Sequence, residues 1–200
     1  MSSAQGSRDI APGFANPPHE SQQVFRCVLE AFAHPGRIVT VADTLEAPGG
    51  LCRATAAFLL TLADRDTPLW LAPEFDIPEI RDFVRFHAGA PIVGGRAEAV
   101  FAVLGHDQPL LFDDFAIGTD AYPDRSATLV IEVPALGAGP AHLWRGPGID
   151  GHASVAMTGP DDGFWRDWTA NNGLFPCGVD VVFAAGSHLL ALPRGITVEG

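Results

Sequence analysis

The stretch from Ala54 to Ala72 constrains the fold most, because it reads as a buried helix, a sharp turn and a buried strand in unbroken succession. Leu51, Ala54, Phe58 and Leu62 follow helical spacing, and Leu59 and Ala63 widen that apolar stripe until the helix must be covered on most sides. Asp64, Arg65 and Asp66 supply turn chemistry. Pro68 then pushes Thr67 to extended backbone, so the chain enters Leu69-Trp70-Leu71 as a strand. This is an αβ unit, and the rest of the chain has to pack on it.

Two hundred residues, 47% of them hydrophobic, suffice for one substantial core, and no charged or low-complexity linker divides them. Residues 1–15, rich in Ser, Gly, Ala and Pro, are expected to form a flexible N-terminal segment, and residues 16–200 a single α/β domain. No apolar run approaches the roughly 18 to 20 residues that a membrane helix needs. The opening Met-Ser-Ser-Ala-Gln-Gly-Ser-Arg-Asp carries no signal-peptide core, so a cytoplasmic location without membrane contact is expected. A net charge of −12 disfavours a nucleic-acid surface, since phosphates would be repelled. Cys27, Cys52 and Cys177 are odd in number and far apart in apolar sequence, which points to reduced thiols and not to a disulfide or metal cluster. All 12 Lys/Arg positions are Arg. Without a lysine, neither a Schiff base with pyridoxal phosphate nor a P-loop can be built.

Before the central unit, Asn16 with Pro17 and Pro18 reads as a cap and first turn, and Val24, Val28, Ala31 and Phe32 form the stripe of a helix ending at His34-Pro35-Gly36. Arg26 rides on this helix, either in a surface ion pair or in an anion or subunit contact. Arg37 to Val41 carries a strand signal. After the unit, Asp76-Ile-Pro-Glu79 has the form of a capping box with Asp76 at the cap. The helix that follows places Ile80, Phe83, Val84 and His87 on one face, and Gly89 ends it. Arg85 and His87 at its end suit either packing and dipole stabilisation or an oxyanion site.

Glu98 to Leu104 reads as a strand and residues 105–126 as loop with a short helical turn, in which Asp113 and Asp114 fit a solvated loop better than a metal site. Thr128 to Val133 is a strong strand, Ala141 to Trp144 another, and Gly146-Pro147-Gly148 a tight turn. Asp161 or Asp162 caps a helix carrying Phe164, Trp165 and Trp168, and a closing hairpin runs from Val181 through His188 to Leu192. Helices interleave with strands early and the end is antiparallel. The fold class is therefore α/β, a mixed sheet flanked by helices.

The sequence holds no Cys-x-x-Cys, His-Glu-x-x-His or His-x-His spacing, no Gly-x-Ser-x-Gly elbow and no Gly-x-Gly-x-x-Gly opening a helix. Metal ligands and catalytic residues stay unassigned.

Several phrases, read together, resemble one family. They are Gln23-Val-Phe-Arg26 with Ala33-His-Pro-Gly36, Leu59-Leu-Thr-Leu-Ala-Asp64 with Asp66-Thr-Pro-Leu-Trp-Leu71, and Arg85-Phe-His87 with Ala90-Pro91. Gly118-Thr119, Gly146-Pro-Gly-Ile149, Phe175-Pro-Cys-Gly-Val-Asp180 and Leu189-Leu-Ala-Leu-Pro-Arg194 follow in order. The sequence resembles the PhnH family, the H subunit of the bacterial carbon-phosphorus lyase core complex, from about Phe14 to Glu199. The resemblance implies a reduced version of the pyridoxal-phosphate-dependent transferase fold that carries no cofactor. It implies partnership with the G, I and J subunits in making a ribose 1-alkylphosphonate 5-triphosphate from ATP and an alkylphosphonate. Iron-sulfur radical cleavage then falls to the J subunit, as a chain without a Cys cluster cannot perform it. Arg26, Arg85, His87 and Arg194 are the candidate ligand or interface residues, chosen for their chemistry and not carried over from the family.

Two expectations stand side by side. An accessory subunit, self-associating as a homodimer and inactive alone, predicts exposed apolar surface. A nucleotide- or phosphonate-binding enzyme acting on its own predicts several Arg converging on a concave pocket.

Overall fold

The prolines at 17 and 18 fit only the first turn of a helix, where the missing N–H groups would lack partners in any case. There α1 (Pro17–Ala33) begins, and the Glu20 carboxylate reaches back to accept the Asn16 N–H at 2.7 Å. In the computed structural model, which describes residues 10–41, 45–107 and 111–199, α1 leads through Gly36 (φ +90) into β1 (Val39–Thr40). This strand is shorter than the Arg37 to Val41 signal because the Arg37 N–H closes a turn onto the His34 carbonyl.

The central unit forms as its pattern dictates. Every residue of α2 (Arg53–Leu62) from Ala54 to Leu59 is buried, the Asp64 and Thr67 backbone and side chains lace the turn, and β2 (Leu69–Leu71) follows. In α3 (Pro78–His87) the expected capping box does not form. Ile77 occupies the cap position, and Asp76 lies one residue too early and pairs instead with Arg81.

A 3₁₀ turn at Arg96–Glu98 precedes β3 (Phe101–Gly105). The segment expected as loop holds a 3₁₀ turn at Phe112–Asp114 and a hairpin of β4 (Ile117–Thr119) and β5 (Tyr122–Ser126). This hairpin has no buried alternation to betray it, since it is irregular in register and has Tyr122 exposed. Next come β6 (Thr128–Glu132), β7 (Ala135–Arg145) and β8 (Ala153–Thr158). β7 is much longer than Ala141 to Trp144, and Gly137 and Gly139 lie inside it. They take φ +80 and +113 where the pairing with β8 shifts register, a bulge that a side chain would oppose. Asp161 caps α4 (Asp162–Asn172) by accepting from the Phe164 N–H at 2.9 Å, and β9 (Asp180–Ala185), β10 (His188–Leu192) and β11 (Thr197–Glu199) complete the chain.

Six strands form one mixed sheet in the order β1-β10-β9-β6-β3-β2, with β2, β3, β6 and β9 parallel and β10 antiparallel to both its neighbours. Side chains alternate across it. On one face Phe101 meets Phe58 of α2 edge-on at 5.4 Å, with α1 and α3 beside α2. On the other, Phe183 meets Phe164 and Trp165 of α4, next to a small sheet β11-β7-β8. Central strands covered on both faces explain the unbroken apolar runs at Leu129 to Ile131 and Val181 to Ala184, all buried. No described helix is long and apolar enough to cross a membrane.

Candidate functional site

The four parallel strands end at one edge, and in open α/β sheets ligands bind outside the carboxyl ends of strands. A cleft of about 590 Å³ opens there, lined by Gly105, His106, Asp107, Asp161, Phe164 and Asp167 among others, with no arginine among its described lining residues. Asp161 is already occupied in capping α4. Its carboxylates repel a triphosphate or phosphonate, and among the described residues no group of three or more His, Cys, Asp or Glu is arranged to hold a metal.

Beside it, at the start of α2, lies a cleft of about 670 Å³ lined by Leu45, Glu46, Cys52, Arg53 and Gly186 among others. Cys52 stands at the cap position with no capping side chain of its own, and the acceptor for its N–H is Glu132 Oε1, at 2.8 Å and 80 residues downstream at the end of β6. Burial, and then the Glu132 carboxylate, push the Cys52 thiol up to about 11. It is therefore protonated near neutrality and is no nucleophile. Arg53 is exposed and is the one basic side chain among the described residues lining this cleft. A third cleft of about 370 Å³ is lined by residues that include Ala11, Glu46, Glu79 and Asp82.

The four residues singled out from the sequence do not converge, and none lines these three clefts. Arg26 is exposed on α1. Arg85 is exposed near the end of α3, while His87 is half-buried two residues on, its Nε2–H donating to the Ala11 carbonyl at 2.9 Å and its ring against Phe83 and Phe86. Arg194 is engaged inside the molecule: its guanidinium forks onto Asp180, Nη1 donates to the Pro123 carbonyl at 2.7 Å, and its side chain is 16% exposed. Asp114, weighed as half of a metal pair, meets Arg96 at 2.7 Å, and Arg96 in turn lies 4.8 Å over the Trp70 ring. Glu132 and Arg53 escaped the sequence reading because a long-range cap leaves no local signature, and only the sheet topology brings β6 to the start of α2.

A model of the family described as "Bacterial phosphonate metabolism protein (PhnH)" matches residues 12–199. The chain belongs to the PhnH family. It is 41% identical, over 96% of its length and 97% of the relative's, to the alpha-D-ribose 1-methylphosphonate 5-triphosphate synthase subunit PhnH of Rhizobium meliloti. It is 32% identical, over 86% of its length and 83% of the relative's, to HtxG of Stutzerimonas stutzeri, whose name assigns it provisionally to a C-P lyase. Several phrases that carried the PhnH resemblance meet in space. Gly148 (φ +85) lies where a Cβ would sit 2.3 Å from the Ala33 carbonyl oxygen, so the 146–149 and 33–36 phrases touch. Arg194 and Asp180 tie together the phrases at 189–194 and 175–180.

Proposed function

We propose that this chain is an accessory, non-catalytic subunit of a bacterial carbon-phosphorus lyase core complex, supporting formation of ribose 1-alkylphosphonate 5-triphosphate and adenine from ATP and an alkylphosphonate. The observation that carries this reading is the near full-length 41% identity to the Rhizobium meliloti synthase subunit. The chemistry of the chain supports it. The two clefts at the carboxyl edge are lined mainly by carboxylates and apolar groups with one arginine between them, a poor seat for a triphosphate. Displacing adenine calls for cations placed on the triphosphate and for a stabilised ribosyl cation, groups that a shared surface with other subunits can assemble.

In this reading the partners are the G, I and J subunits, and the free chain self-associates as a homodimer in the cytoplasm. The fold is a reduced transferase-type scaffold, an ancestry supported by a largely parallel sheet with a single strand, β10, running against its neighbours. No lysine is present to hold pyridoxal phosphate as an aldehyde adduct. A reconstitution assay following adenine release tests the proposal. The lone chain is expected to give no turnover with ATP and methylphosphonate, and activity is expected only once the I and G subunits are supplied. Turnover by the lone chain near the rate of the full set would establish it as the enzyme and overturn the subunit reading.

A further inference from the structure

The chain ahead of α1 lies against the end of α3, 76 residues away in sequence. Among the described residues, the backbone of residues 10–15 makes one hydrogen bond, the Ala11 carbonyl accepting from His87 Nε2–H at 2.9 Å. Two residues on, the chain passes flat over the same imidazole, where a Cβ at Gly13 would sit 2.8 Å from Nδ1 and 3.0 Å from Cε1. Glycine is the residue that lets backbone approach a ring this closely. Ala11 and Phe14 are half-buried against the core, while Ile10, Pro12 and Ala15 are exposed.

The two ends of this segment are held differently. Asn16 is fastened to α1, its N–H donating to Glu20 and its carbonyl accepting from the His19 and Glu20 N–H groups, and Pro17 and Pro18 stiffen the chain behind it. At the other end the hold is His87, whose own ring is fixed 4.8 Å from that of the fully buried Phe83. Between these points Ile10, Ala11 and Pro12 form one wall of the third cleft, about 370 Å³, facing Glu79 of α3 and the loop at 46–49. A segment with few buried contacts and no backbone ladder opens at a lower free energy than the domain that carries it.

We propose that residues 10–15 are a strap that swings as a unit about Asn16 to close or uncover the third cleft, with the His87 Nε2–H donor as its latch. Closed, the strap walls the cleft. Open, it leaves the cleft a shallow face of α3 and turns the His87 ring to water. His87 is thereby a positioning residue, acting on the cleft through the strap. The proposal stands on these contacts and does not depend on the subunit reading.

The test is native-state proteolysis. Chymotrypsin cuts after Phe14 only when the strap is open, so the rate of that cut, read by mass, follows the open population when opening is fast relative to cleavage. H87F keeps an aromatic ring beside Phe83 and Phe86 without the donor, H87Q keeps an N–H donor, and G13A presses a methyl on the imidazole. Loss of one neutral hydrogen bond corresponds to about fivefold in the open population. The cut is therefore expected about fivefold faster in H87F and G13A and within about twofold of wild type in H87Q, with unchanged thermal melts. In an A47C background, alkylation at residue 47, inside the cleft, is expected to quicken in H87F by the same factor. A wild-type cutting rate in H87F overturns the latch. Equal acceleration in H87F and H87Q overturns it too, by assigning the hold to ring packing. Alkylation at residue 47 that stays unchanged while the cut quickens overturns the strap's part in closing the cleft. A wild-type cut with the full urea dependence of global unfolding means that the strap does not open by itself, and the device falls as a whole. The subunit reading is untouched by any of these results and is decided by the adenine-release assay.

Discussion

Replacing Arg194 with alanine separates a structural arginine from a ligand-binding one. The guanidinium holds Asp180 through Nε at 3.0 Å and through Nη2, and holds the Pro123 carbonyl through Nη1 at 2.7 Å. Both side chains are 16% exposed, so the pair is largely removed from water. Taking away one partner of a buried pair costs about 3–5 kcal/mol because the other charge is left unanswered. Residual solvent around Asp180, and the Arg194 N–H that still reaches it at 2.8 Å, lower the expectation to about 2–4 kcal/mol. Urea unfolding measures it as a lower midpoint at constant slope. The D180A/R194A pair is expected to be less destabilised than the sum of the single variants by about 1–3 kcal/mol, as the second substitution removes the stranded charge. R194A within about 0.5 kcal/mol of wild type, together with lost anion binding or assembly, would refute the structural argument and restore Arg194 as a ligand residue.

Phe58→Ala is expected to cost about 3–5 kcal/mol in the same assay, since Phe58 is 1% exposed and loses its edge contact with Phe101; a loss under about 1.5 kcal/mol would mean that the site collapses freely. Stability should decline in alkali: the Cys52 thiol is raised from 9.0 to about 11 by folding, so its contribution is complete below pH 9 and is lost as pH rises through 11. Cys52→Ala should flatten that limb of the stability-pH curve, and Glu132→Gln should speed alkylation of Cys52 at pH 9 to 10; an unchanged rate would refute the carboxylate's part in the shift. Gly148→Ala is expected to destabilise by about 1–3 kcal/mol or to shift the end of α1, because of its φ of +85 and the Ala33 carbonyl in its way, and a wild-type melt would contradict this.

The elements that the sequence revealed are those whose burial writes a pattern along the chain. α2 with β2, β6, and the β9-β10 hairpin carry continuous apolar runs because the six-stranded sheet is covered on both faces. β8 alternates, with Val155 and Met157 buried and Ser154 and Thr158 exposed, a signal that was present at low amplitude and overlooked. β11 is three residues long and the β4-β5 hairpin irregular, so neither carries a usable period. Asp161 was legible as a cap because its partner is three residues away. Glu132 was not, since its partner is 80 residues away, and the roles of Arg96 and Arg194 likewise depend on acids at 114 and 180 that only the fold brings near. Composition anticipated that lysine-dependent chemistry is impossible here, but it could not anticipate that the clefts gather acids and leave Arg26 and Arg85 on outer helical surfaces.

The strand order has a consequence for synthesis on the ribosome. β1 is made first among the strands and lies at one edge, yet its neighbour is β10, and β9 and β10 fill the space between it and β6. Until residue 192 has left the exit tunnel, the sheet has a gap two strands wide, β1 has no strand to pair with, and α1 has α2 beside it but not β10. The cap for α2 is also deferred until β6 emerges. Closure is therefore a late event that joins the two ends of the polypeptide. A fragment halted before β9 keeps Leu129, Val130 and Ile131 on an open strand edge, a substrate for chaperones and proteases and not a smaller working protein.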